Sequence, residues 1–432
     1  MPFNIRRDIQ DNINIAVLRK FSKENGVDYQ GNKANVIRNI IIAVRNGNLR
    51  EETVREFIKE QLWFGKNKHN YFIEIDGETV EEFKDTDNLL RYFQDRGITP
   101  FNNIDRINNP EGVSLARFEY DVDTQDPTIV NKVYIGHIER NYTYYFEQQS
   151  PVFDPVNTYI CTELDLINNI LVLRVRSRSS MKASQDINSN TITANYLAKK
   201  YLRRYEEDYG IEYLDGAPDQ VRNTMYNIEK ELTNFIELQF KPKIEEHEEV
   251  INKFTEDISD LIGLESSEEP IKINERIVGL LERALVMQDE DVITQYVDGK
   301  KGYINMFDFR DDRGGRINAR SQHISTPIQT SDIFFDTRET IDEVKLLDSL
   351  WVVWFKRAEN NQEDLDNMEW ELDTDEEDFD DGVELPAEND EGTVTRIKTK
   401  IAAYTGFYKI EFKRYLIKEE YDHVLSLIES FT

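Results

Sequence analysis

Apolar residues recur at three-and-four spacing through residues 13–63: Ile13, Ala16, Val17 and Phe21, then Val36, Ile37, Ile40, Ile41 and Val44, then Val54, Phe57, Ile58 and Leu62. That period predicts a small helical module, interrupted at Asn25-Gly26 and Gln30-Gly31. From Asn70 the period shortens. Tyr71–Ile75, Ala116–Tyr120, Lys132–Phe146, Thr158–Leu164 and Ile170–Val175 are β-branched or aromatic runs between Gly, Pro, Asn and Asp signals, and Asn168-Asn169 reads as a hairpin turn. A curved antiparallel sheet is the expected core of residues 67–180.

Helical spacing returns over Thr191–Tyr209 and Gln220–Ile262. The second run carries a near-heptad of Ile228, Leu232, Phe235, Ile244, Ile251, Phe254, Ile258 and Leu261, with Pro242 expected to kink or split it. Ile271–Val297 adds one or two helices. Strands are expected at Gly302–Phe309, Arg316–Ser321, Ile333–Asp336, Leu350–Phe355 and Val394–Tyr415, and a closing amphipathic helix at Lys418–Phe431. The predicted class is α+β: a small N-terminal helical module (1–66), an antiparallel β-rich domain (67–180), a long helical connector (181–298) and a C-terminal α+β domain (299–432).

Composition narrows the class. With 432 residues, 39% apolar and 11% aromatic, the chain has enough material for two or three cores. Its lone cysteine, Cys161, excludes an intrachain disulfide or a zinc site with two or more thiolates, and fits a reducing, cytoplasmic setting. No apolar run reaches membrane-spanning length and the start lacks an apolar signal core, so neither secretion nor membrane insertion is expected.

The net charge of −31 is unevenly spread. Between Glu359 and Glu391 lie 17 acidic residues and no Lys or Arg, so 359–392 reads as a solvated, disordered acidic insertion. Trp370, Phe379 and Leu385 within it leave open DNA mimicry, docking of a basic partner, or cover for the chain's own basic groove. Against this stand three basic islands: residues 1–50 (nine basic, four acidic), Arg174–Arg204 (eight basic, one acidic) and Arg396–Lys418 (seven basic, one acidic). Converging, they would form a phosphate-facing groove; separate, each is a solvated face.

One local pattern carries more information. From Leu18 the sequence runs LRKFSKENGVDYQGNKANVIRNI, an apolar helix, a turn glycine, then Gly31-Asn-Lys33 before a second helix with paired apolar residues. It resembles the SAP family of helix–extended loop–helix DNA-binding modules over residues 13–45. The resemblance implies duplex-backbone contact through Gly31, Lys33 and Arg38, with Arg19 and Lys20 flanking. The physical chemistry agrees: a glycine lets the backbone approach a phosphate, a helix N-terminus presents free N–H groups, and the cations add charge. Arg174, Arg176 and Arg178 are a second candidate cluster. Ile40-Ile41-Ile42 departs from the family by being more apolar, and such modules also serve as protein docking elements.

Catalytic patterns are sparse. Ser179-Ser180-Met181-Lys182 is a bare Ser-x-x-Lys. Glu411-Phe412-Lys413 has the Glu-x-Lys form of Mg²⁺-dependent nucleases, without a clear partner carboxylate. Asp308, Asp311 and Asp312 read as an acidic turn ending in Gly-Gly, and the five histidines have no metal-ligand spacing. No phosphate-binding glycine loop or nucleophile elbow occurs. No catalytic residue, metal or cofactor is assigned. The expectation is a non-enzymatic subunit binding double-stranded DNA, in a prokaryotic-type genome-maintenance or phage-conflict assembly. Other protein subunits are expected as partners, with homo-oligomerisation through 220–262. The alternatives are a protein–protein scaffold and a Mg²⁺-dependent nuclease.

Overall fold

The computed structural model describes residues 3–108, 110, 112–176, 180–214, 218–263, 273–286, 288, 299–310, 314–321, 326–357 and 394–432. The fold is α+β, built on antiparallel strand pairings. The described residues form two compact units, one within Met1–Ala217 and Tyr404–Asp422, the other within Pro218–Arg357, Val394–Ala403 and His423–Thr432. The acidic insertion, Arg178, Ser179, Asp311 and Asp312 lie outside the described residues.

The first unit opens with helices α1 (Arg7–Gln10), α2 (Ile15–Glu24), α3 (Lys33–Arg45) and α4 (Glu51–Trp63). Asn14 and Asn32 start α2 and α3 by accepting the backbone N–H groups of Ala16 and Asn35. Strand β1 (His69–Glu74) follows, then two helices that the periodicity did not announce, α5 (Gly77–Lys84) and α6 (Thr86–Gln94). Each is capped by an aspartate, Asp76 or Asp85. Strands β2 (Phe101–Asn102), β3 (Val113–Val122), β4 (Val130–Glu147), β5 (Ser150–Asp165), β6 (Ile170–Val175) and β7 (Met181–Lys182) lead to α7 (Ala194–Tyr209), which Gly210 ends at φ +60°. With β12 (Phe407–Phe412) the strands order as β2-β3-β4-β5-β6-β1-β12, and β7 pairs the far part of β4.

Both faces of this sheet are covered. On one, α7 lays Tyr201, Tyr205 and Tyr209, at i, i+4 and i+8, over His137, Ile135, Ile160 and Thr162. The Tyr205 hydroxyl lies 2.7 Å from Thr162 Oγ1 and 3.3 Å from His137 Nδ1. On the other, Gly136 leaves room for Trp63, whose ring carbon would stand 3.3 Å from an added Cβ. Buried Cys161 points to the Leu62 carbonyl, and Asn157 donates to Asp8 at 3.0 Å. The N-terminal helices are thus fixed to the sheet by side-chain contacts along its length.

In the second unit, α8 (Pro218–Glu245), α9 (Glu248–Ile262), α10 (Ile273–Val286) and α11 (Asp332–Val344) accompany strands β8 (Gly302–Arg310), β9 (Arg316–Arg320), β10 (Ser349–Arg357) and β11 (Val394–Tyr404), ordered β11-β10-β8-β9. Trp354 is fully buried and donates its indole N–H to Thr399 at 2.8 Å.

Three expectations change. Ile333–Asp336 is not a strand but the start of α11, because Phe334, Thr337 and Ile341 bury at helical spacing and a four-residue apolar run does not by itself choose a period. The predicted strand Val394–Tyr415 is two strands, divided where Gly406 turns at φ +80°. Pro242 sits in the last turn of α8, and the helical run breaks after Glu245 rather than at the proline. The final helix, α12, spans Lys418–Glu429.

Candidate nucleic-acid interface

The α2–loop–α3 segment is built around one contact. Arg19 on α2 donates from its guanidinium to the Gly31 carbonyl at 2.9 Å, tying the first helix to the end of the loop. Asp28 accepts the Gln30 N–H at 3.0 Å, and Asn39 donates from α3 to the Asp28 carbonyl at 3.0 Å, so the loop is fixed from both helices. Gly31 is required twice over. Its φ is +92°, and an added Cβ would lie 2.8 Å from Asn35 Nδ2. Asn32 then caps α3, and Lys33 is its first residue.

Beneath this loop Val17, Leu18, Phe21, Val36, Ile37 and Ile40 are buried, and Phe21 stacks on Phe57 of α4 with ring centroids 4.1 Å apart. The apolar Ile40-Ile41-Ile42 run resolves into three environments: Ile40 buried, Ile41 half-buried and Ile42 46% exposed. Val17 packs with Tyr415 and Ile417, so the helices belong to the first unit's core.

The expected contact residues divide. Arg19, Gly31 and Lys33 come together at the start of α3; Lys20 sits one residue along α2 and faces Glu24 at 3.9 Å. Arg38 is exposed, five residues beyond Lys33 and so about 140° around the helix from it. Arg174 does not join them, and Arg178 lies outside the described residues. Arg174 is 1% exposed, donating to Glu163 at 2.9 Å and to the Tyr421 hydroxyl at 2.8 Å, so it has no surface to offer a phosphate. Arg176 is half-buried and donates to Asn12 at 2.9 Å.

The third basic island is likewise committed. Lys409 at 3.1 Å and Lys413 both pair with Glu411, Arg414 pairs with Glu420, Lys418 lies 3.4 Å from Asp422, and Lys400 covers the Trp351 ring. In the β1–β12 register Glu411 stands opposite His69, whose Nδ1 is 3.6 Å away. Burial opposes ionisation of Glu411, but the His69 contact and the two ammonium groups outweigh it and hold the carboxyl well below its usual range. The Glu-x-Lys motif is therefore an ion-pair cluster. Among the described residues no group of three or more His, Cys, Asp or Glu side chains could hold a metal ion. Asp308 accepts the Arg316 guanidinium at 3.0 Å, which accounts for that member of the acidic turn.

The helical connector presents a different surface. On α9 and α10, Val250, Phe254, Leu261, Ile262, Leu280 and Leu281 are exposed, Leu261 to 83%. The run expected over Lys132–Phe146 is one arm of the long β4–β5 hairpin, in whose outer half tyrosines, phenylalanines and prolines alternate at Tyr142, Tyr144, Phe146, Pro151, Phe153 and Pro155. The expected strands leave residues 147–157 unassigned; the two-residue alternation is the signal there, and Pro151 and Pro155 interrupt it. Among the described residues, no helix is long and apolar enough to cross a membrane. No protein-family model matches the chain, and no curated protein matches it by sequence.

Proposed function

We propose that the chain is a non-enzymatic subunit that grips double-stranded DNA by its backbone through the α2–loop–α3 segment, within a larger genome-maintenance or phage-conflict assembly. The observation that carries this reading is the bond from Arg19 to the Gly31 carbonyl. It presents Gly31, the Asn32 cap and Lys33 as one rigid edge at a helix N-terminus, where backbone N–H groups and cations favour phosphate. Backbone contact of this kind binds without reading sequence. Arg174 plays no part in the grip.

The test is retention of a labelled duplex by the whole chain at low and physiological salt, beside a Lys33→Glu/Arg38→Glu double variant. Salt-sensitive binding lost in the variant is the expected result. Absence of binding at low salt rejects the reading.

A second reading, a protein–protein scaffold that self-associates through the helical connector, is favoured by the exposed apolar residues of α9 and α10. Self-association that persists at high salt and is lost in Phe254→Ser/Leu261→Ser would select it.

A further inference from the structure

The β4–β5 hairpin outruns its sheet. Strand β3 pairs β4 only as far as Glu139, β6 pairs β5 only from Ile160, and β7 meets β4 at Tyr142 and Thr143. From Tyr144 to Phe153 the two strands pair only with each other among the described residues, and their side chains pass from half-buried to exposed. At about 3.4 Å per residue, the six residues from Tyr142 to Glu147 carry the ribbon roughly 20 Å beyond its last buried turn. Its tip is held by Gln148 and Gln149 at φ +48° and +68°, a conformation that ordinarily selects Gly, Asn or Asp.

The register assigns the two faces. Tyr142 stands opposite Pro155, Tyr144 opposite Phe153 and Phe146 opposite Pro151, and directly opposed residues share a face. All six are aromatic or proline. The Tyr144 ring meets those of Phe146 and Phe153, each at 6.0 Å between centroids, and Phe146 is 61% exposed. The opposite face carries Thr143, Tyr145, Glu147, Ser150, Val152 and Asp154.

Charge follows the same division. Both carboxylates of the outer ribbon, Glu147 and Asp154, are on the second face, whereas two cations border the aromatic one. Arg140, two residues before Tyr142, places its guanidinium carbon 5.7 Å from that ring, and its buried Nε has no hydrogen-bond partner. Lys182 of β7, opposite Tyr142 in register, holds its ammonium 5.8 Å from the Tyr144 ring, donating to the Ser189 carbonyl at 3.1 Å and to Thr191 Oγ1 at 2.9 Å, which leaves one of its three N–H groups for a phosphate. The prolines leave β5 without N–H donors at two positions, which disfavours addition of a further strand. Recognition here therefore falls to side chains.

We propose that this aromatic–proline face binds single-stranded nucleic acid. Bases stack on Tyr144, Phe146 and Phe153, and Arg140 and Lys182 meet the phosphates. An apolar protein pocket would need only the rings. The placement of both cations beside them, with the ribbon's own two carboxylates, Glu147 and Asp154, on the far face, selects a polyanion that also offers flat apolar surfaces. The site is separate from the α2–loop–α3 edge and does not rest on the duplex-binding reading.

The experiment is fluorescence anisotropy of a labelled oligothymidylate of about 15 nucleotides, a length within the range of such sites, titrated with the whole chain. Wild type is expected to bind. Tyr144→Ala/Phe146→Ala should weaken binding at least tenfold or so, the loss expected for removing base stacking, while Tyr144→Phe/Phe146→Tyr retains it. Arg140→Gln/Lys182→Gln should weaken it and flatten its salt dependence. Lys33→Glu/Arg38→Glu should weaken it far less than Arg140→Gln/Lys182→Gln does, which separates this site from the duplex edge. No binding at low salt, or equal binding by the double-alanine variant with native circular dichroism, overturns the proposal. So does dimerisation in sedimentation that the double-alanine variant abolishes, since the face would then be occupied by a second copy.

Discussion

Arg174 and Glu163 form an ion pair inside the first unit, their side chains 2.9 Å apart, with the guanidinium stacked near the rings of Phe64 and Tyr421. A cation 1% exposed is retained only because its charge is answered locally, and Glu163 is in turn shared with Lys132 at 2.6 Å. Removing one member leaves the other uncompensated. Arg174→Ala is expected to cost about 3 kcal/mol of unfolding free energy, read from urea unfolding, and to leave duplex binding by the folded protein unchanged. A loss of DNA binding with no loss of stability would return Arg174 to the interface.

Gly31 is the residue that the α2–loop–α3 edge cannot replace. With φ at +92° and Asn35 in the space a side chain would take, Gly31→Ala is expected to lose about 1–2 kcal/mol. Thermal unfolding checks the cost, and duplex binding should fall with it, because the carbonyl that receives Arg19 is displaced.

Two buried groups give the units opposite responses to pH. Burial pushes Glu229, enclosed in α8, up from 4.5 to about 7. Below pH 4.5 both folded and unfolded chains hold that proton. As pH rises towards 7 the unfolded chain ionises first, so the second unit loses up to roughly 3 kcal/mol and levels off above. Glu229→Gln should flatten that window, as followed by Trp351 and Trp354 emission in denaturant.

In the first unit the sign is reversed. Burial, joined by the charge of Arg204, lowers His137 from 6.5 to about 3. It is neutral in both states above pH 6.5, and below that the unfolded chain takes up the proton first, so stability falls as pH drops towards 3. His137→Gln should remove that part of the acid sensitivity in proton-linked denaturation, whereas a variant as acid-sensitive as wild type would contradict it.

The period of the hydrophobic pattern was legible wherever one face of an element is buried. Tyr201, Tyr205 and Tyr209 on α7 are such a stripe, and so are Val36, Ile37 and Ile40 on α3. It failed where runs were short. Phe334-Phe335 fits either period, and only the burial of Ile341 one turn and more beyond settles it as helix. The site was legible in part. Gly31 and Lys33 announced a loop feeding a helix, but the count of basic residues could not tell Arg38 on the surface from Arg174 within, because burial is decided by pairing across β5 and β6. The aromatic face of the ribbon depends on strand register, which joins Tyr144 to Phe153 across a turn that no local spacing specifies.

On the function proposed above, a cationic edge at the start of α3 holds duplex phosphate. The most direct measurement is the slope of the logarithm of the duplex association constant against the logarithm of salt concentration, for wild type and for Lys33→Glu/Arg38→Glu. Each phosphate contact contributes about 0.9 to that slope. Loss of the Lys33 contact should reduce its magnitude by about 1 and weaken binding across all sequences alike, Arg38 lying about 140° around α3 from that edge. Equal slopes for the two proteins would remove Lys33 from the duplex contact.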